Sequence, residues 1–217
     1  TASVDGLLAA LSDKTKVIFL ANPNNPTGTM LDADEIARLH QALPPHVLLV
    51  LDGAYAEYVE PENYPAAFDM VEAYDNVVTT RTFSKAYGLA ALRLGWGYCP
   101  PNITEALNRL RGPFNINAAA MSAGLAALDD QAHIANSRAH NMQWRDWLVQ
   151  QIGGLGISVR NTQANFILLQ FADAQEAANA DAVLCANGVI PRALTAYGLP
   201  HMLRLSVGTK AANRAAL

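Results

Sequence analysis

The chain has 217 residues, of which 51% are hydrophobic and 16% charged, with a formal net charge of -4. That length supports a substantial core, as one large domain or two small ones, and the composition excludes a disordered chain. An acidic balance without basic runs argues against nucleic acid as the main partner. With no apolar run near the roughly 20 residues of a membrane span, no membrane association is expected. No signal-peptide pattern opens the chain, and Cys99 and Cys185 fit no metal or redox spacing, so both are expected to be buried thiols in a reducing, cytoplasmic setting. The sequence begins without methionine and stops inside a helical pattern, which reads as a fragment.

In chain order, three short apolar runs come first: "KVIFLAN" (16–22), "VLLVLDGAY" (47–55) and "NVVTTRTFSK" (76–85). They are rich in β-branched residues and each runs into turn chemistry, as strands do. Between the first two, Asp32 is a plausible N-cap with Glu35 three residues on. Ile36, Leu39 and Leu43 form an apolar face, and Pro44 stops the helix. Near-continuous apolar strands separated by helices predict a parallel sheet covered on both faces. "LGWGYCP" (94–100) returns as a further strand, and helices are predicted over 102–111 and 117–152, the second breaking near Asp129-Asp130. After "IGGLGI", "SVRN", "FILLQF" and "LRLSVG" read as strands, with a helix over "DAQEAANADAVLCANG". The expected division is a large α/β domain over 1–130, a connecting helix over 131–152 and a small α+β domain over 153–217.

Ligands of an open parallel sheet bind beyond the carboxyl ends of its strands. The three runs place there "NPNNPTG", then Asp52 and Tyr55, then Thr82, Ser84 and Lys85. Each piece alone could be a turn, a cap or a core aromatic, but three decorated strand ends on one edge indicate a site. The set suits a pyridine-aldehyde cofactor. A lysine amine forms a Schiff base with an aldehyde, and burial among apolar groups would keep Lys85 neutral and nucleophilic. A carboxylate such as Asp52 holds a pyridine nitrogen protonated, and Tyr55 with Asn25 can bond a ring oxygen. Thr82 and Ser84 can donate to a phosphate that Arg93 clamps.

"NPNNPTG", "DGAY" and "TFSKAYGLAALRLGW", in this order and spacing, resemble the fold-type I pyridoxal-phosphate aminotransferases of class I/II, and the likeness extends over essentially all 217 residues. "DGAYAEYV", "PFNIN", "QANFILL" and "LRLSVGT" resemble the branch acting on histidinol phosphate. The resemblance implies a mainly parallel sheet flanked by helices, a smaller C-terminal α+β domain, pyridoxal 5'-phosphate as cofactor, and a homodimer. It implies amino transfer between an amino donor, histidinol phosphate, and a 2-oxo acid, 2-oxoglutarate. Lys85, Asp52 and Tyr55 would be catalytic, with Asn25, Thr82, Ser84 and Arg93 completing the cofactor site. Arg204 would hold the substrate's anionic group, with Arg192 and Asn115 as further candidates. The family's elements ahead of residue 1, among them backbone donors to the phosphate, an aromatic residue stacking on the ring and a substrate arm, have no counterpart here. Rival readings are an aromatic amino-acid aminotransferase, a phospho-amino-acid decarboxylase and a non-catalytic effector-sensing module. The five histidines fit no metal cluster, so no metal is expected.

Overall fold

Val17–Ala21, Leu48–Asp52 and Val77–Thr82 form β1, β2 and β3, and Gly95–Tyr98 forms β4. The structure, a computed structural model, describes residues 2–61, 64, 67–160 and 162–217. The strands lie side by side in chain order, the first three parallel and β4 antiparallel to β3. Alternation sorts their side chains onto two faces. On one face Ile18, Leu20, Leu49, Leu51 and Val77 share a core with Ile36 and Leu39 of α2 (Ala33–Gln41) and Ala67 and Val71 of α3 (Ala67–Ala73). Helix α1 (Val4–Ala9), capped by Ser3, adds Val4 to the same core. As expected, Asp32 caps α2, its Oδ1 accepting from the Glu35 N–H at 2.8 Å.

The other face carries Val17 and Phe19 on β1 and Asp52 and Thr82 at the strand ends. Here the expectation of a sheet covered on both faces holds only in part: Val50 and Val78 on this face are buried, while the β1 edge is open. Because α1, α2 and α3 all pack on the first face, Val17 is exposed and Phe19 is 74% exposed.

Beyond β4 run α4 (Pro101–Leu110), α5 (Ala118–Asp129) and α6 (Gln131–Gly154). The break falls at Asp130, whose side chain accepts from the His133 N–H at 3.0 Å and so starts a new helix. A second sheet follows, built from β5 (Ser158–Arg160), β6 (Phe166–Gln170), β7 (Arg192–Ala193) and β8 (Met202–Ser206), all antiparallel in the order β5-β6-β8-β7. Asn161, the last residue of "SVRN", lies outside the described residues. Helix α7 (Ala174–Ala186) and the C-terminal half of α6 cover this sheet, through Ala177, Leu148 and Ile152 against Ile167, Leu169, Leu203 and Leu205; α8 (Lys210–Ala215) closes the chain.

The cysteine expectation needs correction. Cys99 is only half-buried and Cys185 is exposed on α7, with its thiol 3.8 Å from Asp181. It sits on the polar side of a helix whose buried residue is Ala177. Among the described residues no helix is long and apolar enough to cross a membrane, and no group of His, Cys, Asp and Glu has metal-binding geometry.

Candidate active site

The carboxyl ends of β1, β2 and β3 lie on one edge, and each feeds a tight turn. After β1, Asn22 bonds both ways with Leu31: its Nδ2 donates to the carbonyl at 3.0 Å and its Oδ1 accepts from the N–H at 2.8 Å. Within this loop Gly28 adopts φ +66°, and its carbonyl accepts from the Gln163 N–H at 2.7 Å. The "NPNNPTG" turn is thereby fastened to the start of the second sheet. A Cβ at Gly28 would fall inside contact distance of Thr162, 2.7 Å from its Cγ2, so both backbone freedom and space require glycine here.

After β2, Asp52 is half-buried and its Oδ1 accepts from the Ala54 N–H at 3.1 Å. Tyr55 follows with 6% exposure, its ring edge-on to Phe166 of β6 at 5.5 Å between centroids. Burial pushes the Tyr55 hydroxyl above its ordinary pKa. The charge of Arg204 opposes that, while Asp52 and Tyr197 add to it. These four groups therefore share one electrostatic neighbourhood.

After β3 the chain turns sharply. The Ser84 N–H donates to Thr82 Oγ1 at 3.0 Å, the Gly88 N–H to the Lys85 carbonyl at 2.9 Å, and the Leu89 N–H to the Phe83 carbonyl at 2.9 Å. His133 of α6 meets the Ala86 carbonyl at 3.0 Å, bracing the same turn from behind. Lys85 Nζ then lies 5.6 Å above the centre of the Tyr55 ring. Arg93 takes a left-handed backbone, φ 54°, between this turn and β4, and one of its guanidinium nitrogens donates to the Ala90 carbonyl at 2.9 Å.

One expectation is corrected here. Lys85 is exposed rather than buried, and Arg93 is exposed as well. Neither has an acidic partner among the described residues, which leaves both charges available.

From the second sheet, Arg204 of β8 crosses to the first. Its Nη1 donates to Asn25 Oδ1, and its guanidinium carbon lies 4.9 Å from the centre of the Phe166 ring. Its Nε is buried without a hydrogen-bond partner, an unfilled donor. Lys85, Tyr55, Phe166, Arg204 and Asn25 thus form a continuous line of contacts, with Asp52 beside Tyr55 on the same turn. Arg192 pairs with Arg204 across β7 and β8 but is exposed. Asn115 stands apart on the loop between α4 and α5, accepting from Arg111 at 3.2 Å.

The sequence reading missed Phe166, which packs between Tyr55 and Arg204, and Tyr197, which bears on Tyr55. An alternating strand names its inward residues, but not which distant ring they will meet.

The donor set fits pyridoxal phosphate. It contains an unpaired amine, a carboxylate with one oxygen uncommitted, a phenol, hydroxyls at positions 82 and 84, and a guanidinium with free N–H groups. Gly95 faces Thr82 across β3 and β4, so the neighbouring strand raises no side chain against that hydroxyl.

An open α/β sheet with a lysine and a carboxylate on adjacent strand ends, tied to a smaller antiparallel unit, is the architecture of fold-type I pyridoxal-phosphate enzymes. The family model for aminotransferase class I and II matches residues 1–217. Histidinol-phosphate aminotransferase of Rhodopseudomonas palustris (strain BisB18) is 51% identical over 216 residues, 99% of this chain and 59% of that protein. The enzyme of the same name from Nitrobacter winogradskyi is 50% identical, with the same coverage. A crystal structure of histidinol-phosphate aminotransferase from Sinorhizobium meliloti in complex with pyridoxal-5'-phosphate superposes with a TM-score of 0.86. Its identity is 27%, over 99% of this chain and 59% of that one. The chain belongs to the class I and II aminotransferases, and it spans about three fifths of the length of the relatives it matches.

Proposed function

We propose that this chain forms part of a pyridoxal-phosphate-dependent aminotransferase that moves an amino group between histidinol phosphate and 2-oxoglutarate. The observation that carries the reading is the line of contacts from Lys85 over Tyr55 and Phe166 to Arg204 and Asn25, with Asp52 at the turn. When bound, pyridoxal phosphate supplies an aldehyde for amines and a ring that withdraws electrons.

On this reading the Lys85 amine holds the cofactor covalently and carries the proton to and from the substrate Cα. Asp52 keeps a proton on the pyridine nitrogen, while Tyr55 and Asn25 bond the phenolic oxygen. Thr82, Ser84 and Arg93 bind the phosphate, the last with a planar, permanently charged fork. Arg204 orients the anionic end of the substrate, and Arg192, opposite it in register, adds positive charge to the same strand pair. Asn115 stands as a weaker substrate contact. Residues 1–130 would serve as the cofactor domain, 131–152 as the connector and 153–217 as the small domain. A cytoplasmic homodimer completes the reading. The apolar side chains Leu110, Phe114 and Leu125, left in water along α4, α5 and the loop between them, support an association surface.

The names of the relatives and the pair of arginines favour a phosphorylated donor over an aromatic amino acid. A steady-state comparison of donors, run on the protein that carries this chain with pyridoxal phosphate and 2-oxoglutarate, tests the choice. Histidinol phosphate should give the highest kcat/KM. A higher value for phenylalanine or tyrosine, or decarboxylation in place of transamination, would overturn it.

A further inference from the structure

Arg81 is an arginine inside a sheet, and the site described above makes no use of it. It lies on the helix-covered face of β3, opposite the face that carries Asp52 and Thr82, and its side chain is 4% exposed. A buried guanidinium is costly unless its charge and its N–H groups are matched. Its Nε is 3.7 Å from Glu57 Oε1, too long for a hydrogen bond, so that pair offsets charge without fixing geometry. The rings of Tyr64 and Phe68 lie 5.0 and 5.1 Å from its central carbon. The short contacts are elsewhere. Nη1 donates to Thr79 Oγ1 at 3.0 Å and to the Thr80 carbonyl at 3.1 Å.

Both acceptors lead to the residues that flank Asp52. The Thr79 hydroxyl in turn donates to the Leu51 carbonyl at 3.1 Å, and the Thr80 carbonyl also accepts from the Gly53 N–H at 3.0 Å. Gly53 leaves room for this arrangement: a Cβ there would lie 2.7 Å from the guanidinium carbon and 2.8 Å from the Tyr64 oxygen. We infer that Arg81 is a positioning residue for Asp52, holding the backbone on both sides of that carboxylate from the far face of the sheet. This rests on the reading of Asp52 as the cofactor's carboxylate partner. The carbonyl of Glu57 accepts from Arg138 Nε of α6 at 3.1 Å, so the same brace reaches the helix that supports the Lys85 turn.

The test uses Arg81→Met, which keeps length and removes the donors, and Thr79→Val, which keeps shape and removes only the hydroxyl relay. Amide hydrogen exchange is measured at Gly53 and Ala54 and, as an internal reference, at Ile167–Leu169 of β6, with and without pyridoxal phosphate. Loss of the Arg81 bonds to Thr79 and Thr80 predicts exchange about tenfold or more faster at Gly53 and Ala54 relative to β6. The visible absorption of bound cofactor should also change its pH dependence, since Asp52 no longer faces the ring nitrogen in one fixed pose. If Arg81→Met does not fold, Thr79→Val alone decides. Equal acceleration in β6, or an unchanged ratio, would show that Arg81 only fills the core and would overturn the inference. Failure of the parent protein to bind pyridoxal phosphate would instead overturn the functional reading, while the exchange ratio would still judge the brace.

Discussion

Replacing Gly28 with alanine should destabilise the protein by about 2 to 4 kcal/mol, and the figure follows from two separable terms. The φ of +66° puts an L side chain in the left-handed region, which costs roughly 1–2 kcal/mol. The added Cβ would also press on Thr162, which is 1% exposed, and come within 3.2 Å of Phe166 Cε2, and such overpacking costs about 1–3 kcal/mol. The loss of unfolded-chain entropy returns less than about 1 kcal/mol. Urea unfolding of parent and variant, compared at equal m, gives the difference. Gly28→Asn separates the terms, because asparagine tolerates a left-handed backbone but brings the same Cβ. It should be no milder than alanine if the clash dominates. A Gly28→Ala cost under about 0.5 kcal/mol would show that this turn and the second sheet do not meet as described.

Arg93→Ala should weaken pyridoxal phosphate binding roughly 10- to 100-fold, the loss of a charge-assisted contact, and an unchanged dissociation constant by absorbance titration would reject the phosphate role. Tyr58 gives a pH prediction. Burial first, and then the charge of Glu57, push its hydroxyl from 10.0 up to about 12. Because the folded state favours the neutral phenol, that contribution to stability is complete below pH 10 and is lost as pH rises through about 12. Tyr58→Phe should therefore flatten the decline of unfolding free energy over that window. A decline identical to the parent's would contradict it.

Much of the first sheet was legible because its signals are local. Apolar β-branched runs ending in "DGAY" and "TFSK" specify strands and turns without reference to anything distant, and Asp32 with Glu35 specifies a helix start. The break near Asp129-Asp130 was legible too, although the cap that makes it, Asp130 to the His133 N–H, is a finding of the structure. The site's convergence could be anticipated too, since parallel strands bring their carboxyl ends to one edge. What could not be read are contacts made by partners far apart in sequence. Arg81 looks like any polar residue in an alternating strand until Glu57, Tyr64 and Phe68 enclose it. Phe166 looks like core until it proves to separate Tyr55 from Arg204. Exposure at Lys85 and Phe19 was misread for a related reason: apolar sequence shows what is suited to burial, while the neighbours in space decide what is covered.

The central claim is that Lys85 is the residue to which the cofactor attaches. The chain has four lysines, Lys14, Lys16, Lys85 and Lys210, and among them Lys85 stands over Tyr55 at the convergence of the strand ends. The most direct measurement is borohydride treatment of the protein with bound pyridoxal phosphate, followed by peptide mapping. The label should fall on the peptide containing Lys85, and Lys85→Ala should abolish it. Labelling at Lys14, Lys16 or Lys210 with Lys85 unmodified would contradict the account.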